Sequence, residues 1–296
     1  MASRKTVLIT GCSDDGIGSG LALTFQQRDY HVFATARNIQ KMSKLHGLPN
    51  VTLLTLDVCN KDHIAAAVEA VTKHTGGKLD YLVNNAGRNH FMPILDEDIE
   101  VIKKLYETNV WGPVALTQAF APLLIAARGT IAFITSIAGY VNVPYMGTSS
   151  PFYIACTYAG SKRSIELIAE TLRLELAPFH VRVLSVVTGA VKTMGQTYFG
   201  DFKLPEDSLY KPIEQTIASR AQGGDGNARE DLMTYSNKVV TEITNGTSSK
   251  FWCGSGAGMI RFSTSFLPGS FMDNAVSRNT DLDVLAANLN KNLDKK

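Results

Sequence analysis

The chain of 296 residues is poor in the residues that build metal and disulfide scaffolds, with four cysteines, six histidines and two tryptophans. Cys12, Cys59, Cys156 and Cys253 are scattered, with no CxxC pair and no histidine cluster beside them. That pattern excludes a zinc ribbon and a disulfide framework; it reads as four free thiols in a reducing compartment, with no metal site. Charge of one sign is also scarce. Twenty-nine Lys and Arg against 27 Asp and Glu leave a net charge of +2, so no basic face for nucleic acid is expected. The Lys295–Lys296 end reads as solvated. Long hydrophobic runs are missing too: none reaches the ~18–20 residues that span a bilayer. The opening MASRKTVLIT enters a strand by residue 5, which leaves no room for a signal peptide. The expected location is therefore cytoplasmic. No internal repeat and no second domain are visible.

What is present is an ordinary apolar fraction of 45%, enough for one large core. Residues 5–10, 32–36, 51–56, 80–84, 130–135 and 181–187 are continuously apolar and β-rich. Strands of that kind are buried on both faces. Helical patterns lie between them, near 17–28, 60–75, 97–107, 112–127 and 159–177, and Pro178 closes the last. This alternation predicts an α/β fold: a Rossmann-type doubly wound parallel sheet with helices on both faces, in a single domain covering 1–296. The order thins after residue 188. Residues 195–230, rich in Gly, Asp and Pro, read as a substrate lid, with a helix over 228–244. The tail, 251–296, mixes Gly and Ser with Phe262, Phe266 and Phe271.

The first strand runs into Thr10-Gly11-Cys12-Ser13-Asp14-Asp15-Gly16-Ile17-Gly18, and a helix follows. Glycines there let backbone approach a pyrophosphate whose charge rests on the helix N-terminus. Gly11, Ser13, Gly16, Ile17 and Gly18 are thus candidate cofactor residues. At the end of the second strand, where an acidic residue would accept from the ribose hydroxyls of NAD, stand Ala36 and Arg37. A guanidinium there pairs with the 2′-phosphate of NADP(H). Asp14 and Asp15 oppose this reading by placing negative charge in the phosphate loop. Asp57 ends the third strand, at the adenine edge, and Asn84-Asn85-Ala86-Gly87 ends the fourth with small residues that let a cofactor lie across it.

Together, the glycine loop, Asp57-Val58, Asn84-Asn85-Ala86-Gly87, Asn109, Ser136 and Tyr158-Ala159-Gly160-Ser161-Lys162 resemble the short-chain dehydrogenase/reductase family, over roughly residues 5–195. The resemblance implies an NADP(H)-dependent oxidoreductase acting on C=O or CH–OH. Hydride arriving at a carbonyl carbon leaves charge on oxygen, which needs a donor and then a proton. Tyr158 supplies that proton in this reading. Lys162 lies one turn on, on the same helix face; its charge is expected to lower the tyrosine's pKa. The resemblance also gives Lys162 the nicotinamide ribose, Ser136 the orientation of the carbonyl, and Asn109 a proton-relay water. It assigns Val58, Asn85, Ala86, Gly87, Gly189, Val191 and Thr193 to the cofactor, with Thr193 at the carboxamide.

Three departures from the family pattern stand out. Four residues rather than three separate Gly11 from Gly16. Thr188-Gly189 replaces the usual Pro-Gly. Ser136 and Tyr158 are nine positions further apart than usual, and removing 149–157 restores the spacing. That insertion either shapes the substrate pocket or displaces Tyr158 and weakens or abolishes activity, leaving an NADP-binding protein without reduction. The Thr-Gly pair, the longer loop and Arg261-Phe262…Leu267-Pro268 resemble a fungal subgroup that includes NADPH-dependent 1-acyldihydroxyacetone-phosphate reductases and ketoreductases of secondary metabolism. An apolar tail suits a lipophilic carbonyl substrate or peripheral contact with a membrane surface; the alternative is that its phenylalanines are core or dimer contacts. His90, Tyr145, Met194 and Tyr198 follow cofactor motifs and are the substrate candidates. The family implies a homodimer or homotetramer paired through 97–127 and 159–177.

Overall fold

The computed structural model describes residues 4–142, 156–194, 201–222, 228–277 and 280–293. Tyr145, Tyr198 and residues 149–155 of the inserted stretch lie outside the described residues.

Seven parallel strands form one sheet: β1 Thr6–Thr10, β2 His31–Ala36, β3 Val51–Thr55, β4 Tyr81–Asn84, β5 Thr130–Ser136, β6 Arg182–Thr188 and β7 Ser249–Cys253. Their order is β3-β2-β1-β4-β5-β6-β7. In β1 every residue is buried, because helices cover both faces, and the run is accordingly apolar without alternation. The strand order reverses between β1 and β4, where Val7 pairs with both Val32 and Tyr81. Ligands of such sheets bind outside the strand carboxyl ends at this reversal, and the glycine loop emerges there.

On one face α1 (Ile17–Gln27) and α7 (Leu232–Thr244) bury Leu21, Phe25, Tyr235, Val239 and Ile243. On the other, α2 (Lys61–Thr75), α4 (Gly112–Ala127) and α5 (Cys156–Glu175) bury Ile64, Val71, Leu116, Phe120, Leu124 and Ile165. Phe120 is wholly enclosed, and truncation to alanine there costs about 3–5 kcal/mol. Caps set the helix limits. Asn60 accepts from Asp62 N and His63 N at 2.9 and 3.1 Å and starts α2, which Gly76 ends at φ 67°.

The sequence reading needs correcting in three places. First, α3 (Ile99–Tyr106) joins α4 through a π-turn, Glu107–Trp111, into one continuous helix. An 18-residue window of that helix, Ile99–Ala127, reaches a mean hydropathy of 1.5, and the helix has the length of a membrane span, although no simple apolar run announces it. Its apolar character follows from Leu116, Phe120 and Leu124 facing the sheet. Second, the lid region contains α6 (Glu214–Ala221), whose Ile217 packs with Leu204, Ile213 and Leu285. Third, the described part of the tail holds elements that the sequence reading did not place. It supplies β7, α8 (Ala257–Phe266), α9 (Gly269–Ser277) and α10 (Leu282–Leu293). Ala257, Ile260 and Val276 face inward against Ile137 and Val187. Phe262, Phe266 and Phe271 are exposed by 58%, 74% and 56%, so they are not core residues. All four cysteines are free, Cys12 and Cys253 buried and Cys59 and Cys156 exposed.

Candidate active site

The glycine loop is built by close backbone packing. Gly11 has φ 73°, and a Cβ on it would lie 2.9 Å from the Ala86 Cα. A Cβ on Gly18 would lie 2.4 Å from the Gly11 carbonyl oxygen and 2.6 Å from the Asn85 amide nitrogen. No side chain fits at either place. Asn85 explains part of this: its Nδ2 donates to the Thr10 and Gly11 carbonyls at 2.7 and 3.1 Å. Thr10 Oγ1 in turn accepts from Asn85 N and Ala86 N at 3.0 and 2.9 Å. The loop and the end of β4 are therefore one unit. Gly16 N donates to Ser13 O at 3.1 Å. Gly16 caps α1 without any side-chain bond, and the first turn, which opens with Ile17, holds no acidic residue. The free N–H groups of that turn fit a pyrophosphate.

The acidic pair in the loop does not oppose this. Asp14 turns away, accepting from Ser43 N, Ser43 Oγ and Lys44 N at 2.9, 2.7 and 3.1 Å. Burial works to raise its pKa, yet these hydrogen bonds together hold it below the usual carboxylate value. Asp15, at φ 58°, is ion-paired with Lys44. Arg37 is exposed just past β2. Asp57 Oδ1 accepts from Cys59 N at 3.0 Å, which rigidifies the turn after β3, and Val58 is buried under Gly112.

The chemical residues gather at the carboxyl ends of β4, β5 and β6. The Ser136 side chain lies close enough to the Tyr158 hydroxyl to draw its pKa down. Ser136 Oγ also accepts from Ala138 N at 3.2 Å, which fixes its direction. Lys162 Nζ donates to the Ile134 carbonyl at 3.0 Å and lies 5.8 Å from the Tyr158 ring centre. Gly87 lies between the groups: a Cβ on it would be 3.3 Å from Asn109 Oδ1 and 3.4 Å from Lys162 Nζ. Asn109, held in the π-turn, accepts from Arg88 N at 2.8 Å and donates to Arg88 O and Ser161 Oγ, both at 3.0 Å. Its amide is thus locked between the β4 loop and α5.

Burial governs the electrostatics. It pushes the Lys162 ammonium down to about 8. It pushes the Tyr158 phenol up to about 12, against a downward pull from Ser136. Burial is the larger influence on Tyr158, and of its neighbours only Ser136 pulls the phenol down, so the expected lowering by Lys162 is not seen. Tyr158 is held in its protonated, donating form.

Of the remaining expected residues, Gly189 packs so tightly that a Cβ would lie 2.2 Å from the Ser255 carbonyl oxygen. Val191 is buried and bridges to Glu230. Thr193 follows on the same connection, half-buried. Met194 is half-exposed, and its N–H reaches the Asp15 carbonyl at 3.4 Å. Thr188, in place of proline, shares a 2.7 Å hydrogen bond with the Tyr235 hydroxyl. His90 lies beside a residue that sequence reasoning missed: its Nε2 is 2.6 Å from Glu97 Oε2. Asp96 was missed as well; it accepts from Ser208 Oγ at 2.6 Å and so holds the lid region. Neither acid carries a local sequence signal, because each partner is distant in the chain or histidine on a loop. A cleft of about 600 Å³ lies alongside, lined by Met92, Pro93, Val141, Ala159 and Leu282 among others, with Arg163 at its wall.

Comparison with known proteins agrees with this geometry. The short chain dehydrogenase family model matches residues 5–202. Short-chain dehydrogenase PC-15 of Penicillium crustosum is 48% identical over 242 residues, covering 82% of this chain and 85% of its own. The NADPH-dependent 1-acyldihydroxyacetone phosphate reductase of Schizosaccharomyces pombe is 39% identical, over 73% of this chain and 71% of its own. Among solved structures, a short-chain dehydrogenase from Streptomyces avermitilis superposes with a TM-score of 0.74 at 23% identity, covering 98% and 99% of the two chains. A short chain dehydrogenase from Burkholderia cenocepacia, solved in complex with NADP, gives 0.72 at 23% identity over 93% and 98%. With its glycine loop, its parallel sheet and its Ser136, Tyr158 and Lys162 in register, the chain belongs to the short-chain dehydrogenase family.

Proposed function

We propose that this protein is an NADPH-dependent ketoreductase that converts a ketone of a lipophilic small molecule to an alcohol in fungal secondary metabolism. The observation that carries the reading is the Tyr158 hydroxyl facing Ser136, with Lys162 one helical turn away and 5.8 Å from the Tyr158 ring centre. The residues fit the cofactor: the free N-terminus of α1 takes the pyrophosphate, Arg37 the 2′-phosphate, Asp57 and Val58 the adenine, and Asn85, Ala86 and Gly87 the path across β4. Lys162 and Tyr158 take the nicotinamide ribose, with Gly189, Val191 and Thr193 at the ring. Bound there, the nicotinamide supplies a hydride to the carbonyl carbon.

The chain's own groups do the rest. Ser136 Oγ and the Tyr158 hydroxyl receive the carbonyl oxygen and orient it. Tyr158 donates its proton to that oxygen as charge builds on it; an alkoxide is a far stronger base than a phenolate, so a raised phenol pKa does not prevent the transfer. The Lys162 charge stabilises the resulting phenolate, and Asn109 holds the β4 loop and α5 in mutual register, where a relay water can return the proton. His90 and Met194 face the substrate. The apolar cleft beside α5 supports a lipophilic substrate.

Purified protein incubated with NADPH and a panel of lipophilic ketones tests the reading directly: ketone-dependent NADPH oxidation is expected. Cofactor binding without oxidation of NADPH by any of them would instead support an NADP-binding protein that has lost reduction. The S. pombe relative favours a second reading with the same chemistry, reduction of 1-acyldihydroxyacetone phosphate. Offering that substrate beside neutral ketones separates the two. Exposed Trp111, Leu167 and Leu174 on α4's approach and α5 support pairing of copies through these helices, and exposed Met259, Phe262, Phe266 and Phe271 support peripheral contact of the tail with a membrane.

A further inference from the structure

Glu97 lies near the site with its carboxyl almost wholly enclosed, its side chain 1% exposed. Both oxygens are used. Oε2 is 2.6 Å from His90 Nε2, and Oε1 accepts from Thr157 Oγ1 at 2.6 Å. Its backbone is firm, because it lies between the turn Ile94–Asp96 and Asp98, which caps α3 by accepting from Glu100 N at 2.8 Å. Thr157 is buried and immediately precedes Tyr158, in the first turn of α5.

First turns of helices lack the backbone bonds that hold later ones. Tyr158 belongs to such a turn, directly after the inserted stretch. We infer that Glu97 is a positioning residue, which pins the first turn of α5 through Thr157, the last residue of the inserted stretch, and so keeps the Tyr158 hydroxyl facing Ser136. The inference rests on the reductase reading of Tyr158. A second tie runs parallel to it: Asn109 Nδ2 donates to Ser161 Oγ at 3.0 Å. The two ties flank the Tyr158–Lys162 turn, one residue before Tyr158 and one before Lys162. Both also grip the loop after β4, Glu97 through His90 and Asn109 through the Arg88 backbone. One rigid segment, 97–109, thereby fixes the catalytic turn and the substrate loop together. Nε2 is committed to Glu97, which leaves Nδ1 as the ring nitrogen available toward substrate.

The test uses the full-length protein saturated with NADPH, in wild-type form and as Thr157→Val, Thr157→Ser and Glu97→Gln. Amide hydrogen exchange is followed by mass spectrometry over 157–161, with β5 as internal reference. Thr157→Val is expected to speed exchange there about tenfold or more and to lower kcat about 10- to 100-fold, as misplacement by roughly 1 Å does. NADPH affinity stays within about twofold, and Thr157→Ser restores both properties. Glu97→Gln keeps an acceptor for Thr157 but turns a donor toward His90; exchange stays near wild type while KM for the ketone rises about tenfold. The inference is overturned by unchanged exchange in Thr157→Val, by faster exchange with unaltered kcat, or by cofactor affinity falling in step with kcat. An unchanged KM in Glu97→Gln removes the role toward His90. Were the wild type to reduce no ketone, the reductase reading would fall, while the exchange data would still decide whether Thr157 pins the turn.

Discussion

Lys162 holds its ammonium 5.8 Å from the Tyr158 ring while donating to the Ile134 carbonyl, and burial brings its pKa down to about 8. Its charge is therefore present at neutral pH and is lost as pH rises through about 8. If Lys162 acts as proposed, kcat/KM is expected to be level below this point and to fall about tenfold per pH unit above it. A rate profile from pH 6 to 10 checks this. Thr157 and Ser136 carry no charge and leave the limb in place; Lys162→Arg moves it to higher pH. A level profile through pH 10 would show that the Lys162 proton is not required.

In the proposed mechanism Tyr158→Phe removes the proton donor that faces Ser136. Turnover is expected to drop about 10²- to 10⁴-fold, with NADPH affinity measured by fluorescence within about threefold of wild type. Retained turnover would move the donor elsewhere.

Arg37→Ala tests the cofactor choice. Losing one charge-assisted bond to a phosphate costs about 1.5–3 kcal/mol, which weakens NADPH binding about 10- to 150-fold. Affinity for NADH, which lacks the 2′-phosphate, is expected to stay unchanged. Equal losses for both cofactors would contradict the assignment.

Gly18→Ala places a Cβ 2.4 Å from the Gly11 carbonyl oxygen, a contact that backbone must move to relieve. About 1–3 kcal/mol of stability is expected to be lost, together with cofactor binding. Differential scanning fluorimetry with and without NADPH reads both. Normal stability with normal stabilisation by cofactor would refute the packing argument.

Glu166 gives a stability prediction. Its carboxyl is fully enclosed on α5, facing Tyr140, Arg163, Lys250 and, through Lys250, Glu170. Burial raises its pKa to about 7, against the pull of Lys250. The folded state thus binds this proton more tightly than the unfolded chain. The associated stability is full below the ordinary carboxylate pKa and is lost as pH rises through about 7. Tm relative to Glu166→Gln is expected to decline between pH 5 and 8. A constant difference would show that Glu166 is ionised throughout.

The sheet was legible because buried parallel strands such as Val7-Leu8-Ile9 are continuously apolar, and the helices because their caps and periodicity are local. β7 escaped because Ser-Lys-Phe-Trp-Cys is a half-buried edge strand whose Lys250 faces acids on α5. Helices α8 and α9 escaped because they are only 10 and 9 residues long and stand among Gly, Ser and Pro. At the site, the motif residues were visible as types in order. Asp14 was misread because its partners, Ser43 and Lys44, stand about thirty residues away. Glu97 was invisible because Thr157 is 60 positions distant. Electrostatic sign was misjudged at Tyr158 because burial, the larger effect, has no sequence signature.

The Asp14 carboxylate, spanning from the glycine loop to Ser43 and Lys44, has one more consequence. It fastens the glycine loop to the connection that carries Arg37, which restrains the two from drifting apart. Reprogramming this protein for the unphosphorylated nucleotide would therefore demand redesign of a braced scaffold, not the exchange of a single basic side chain.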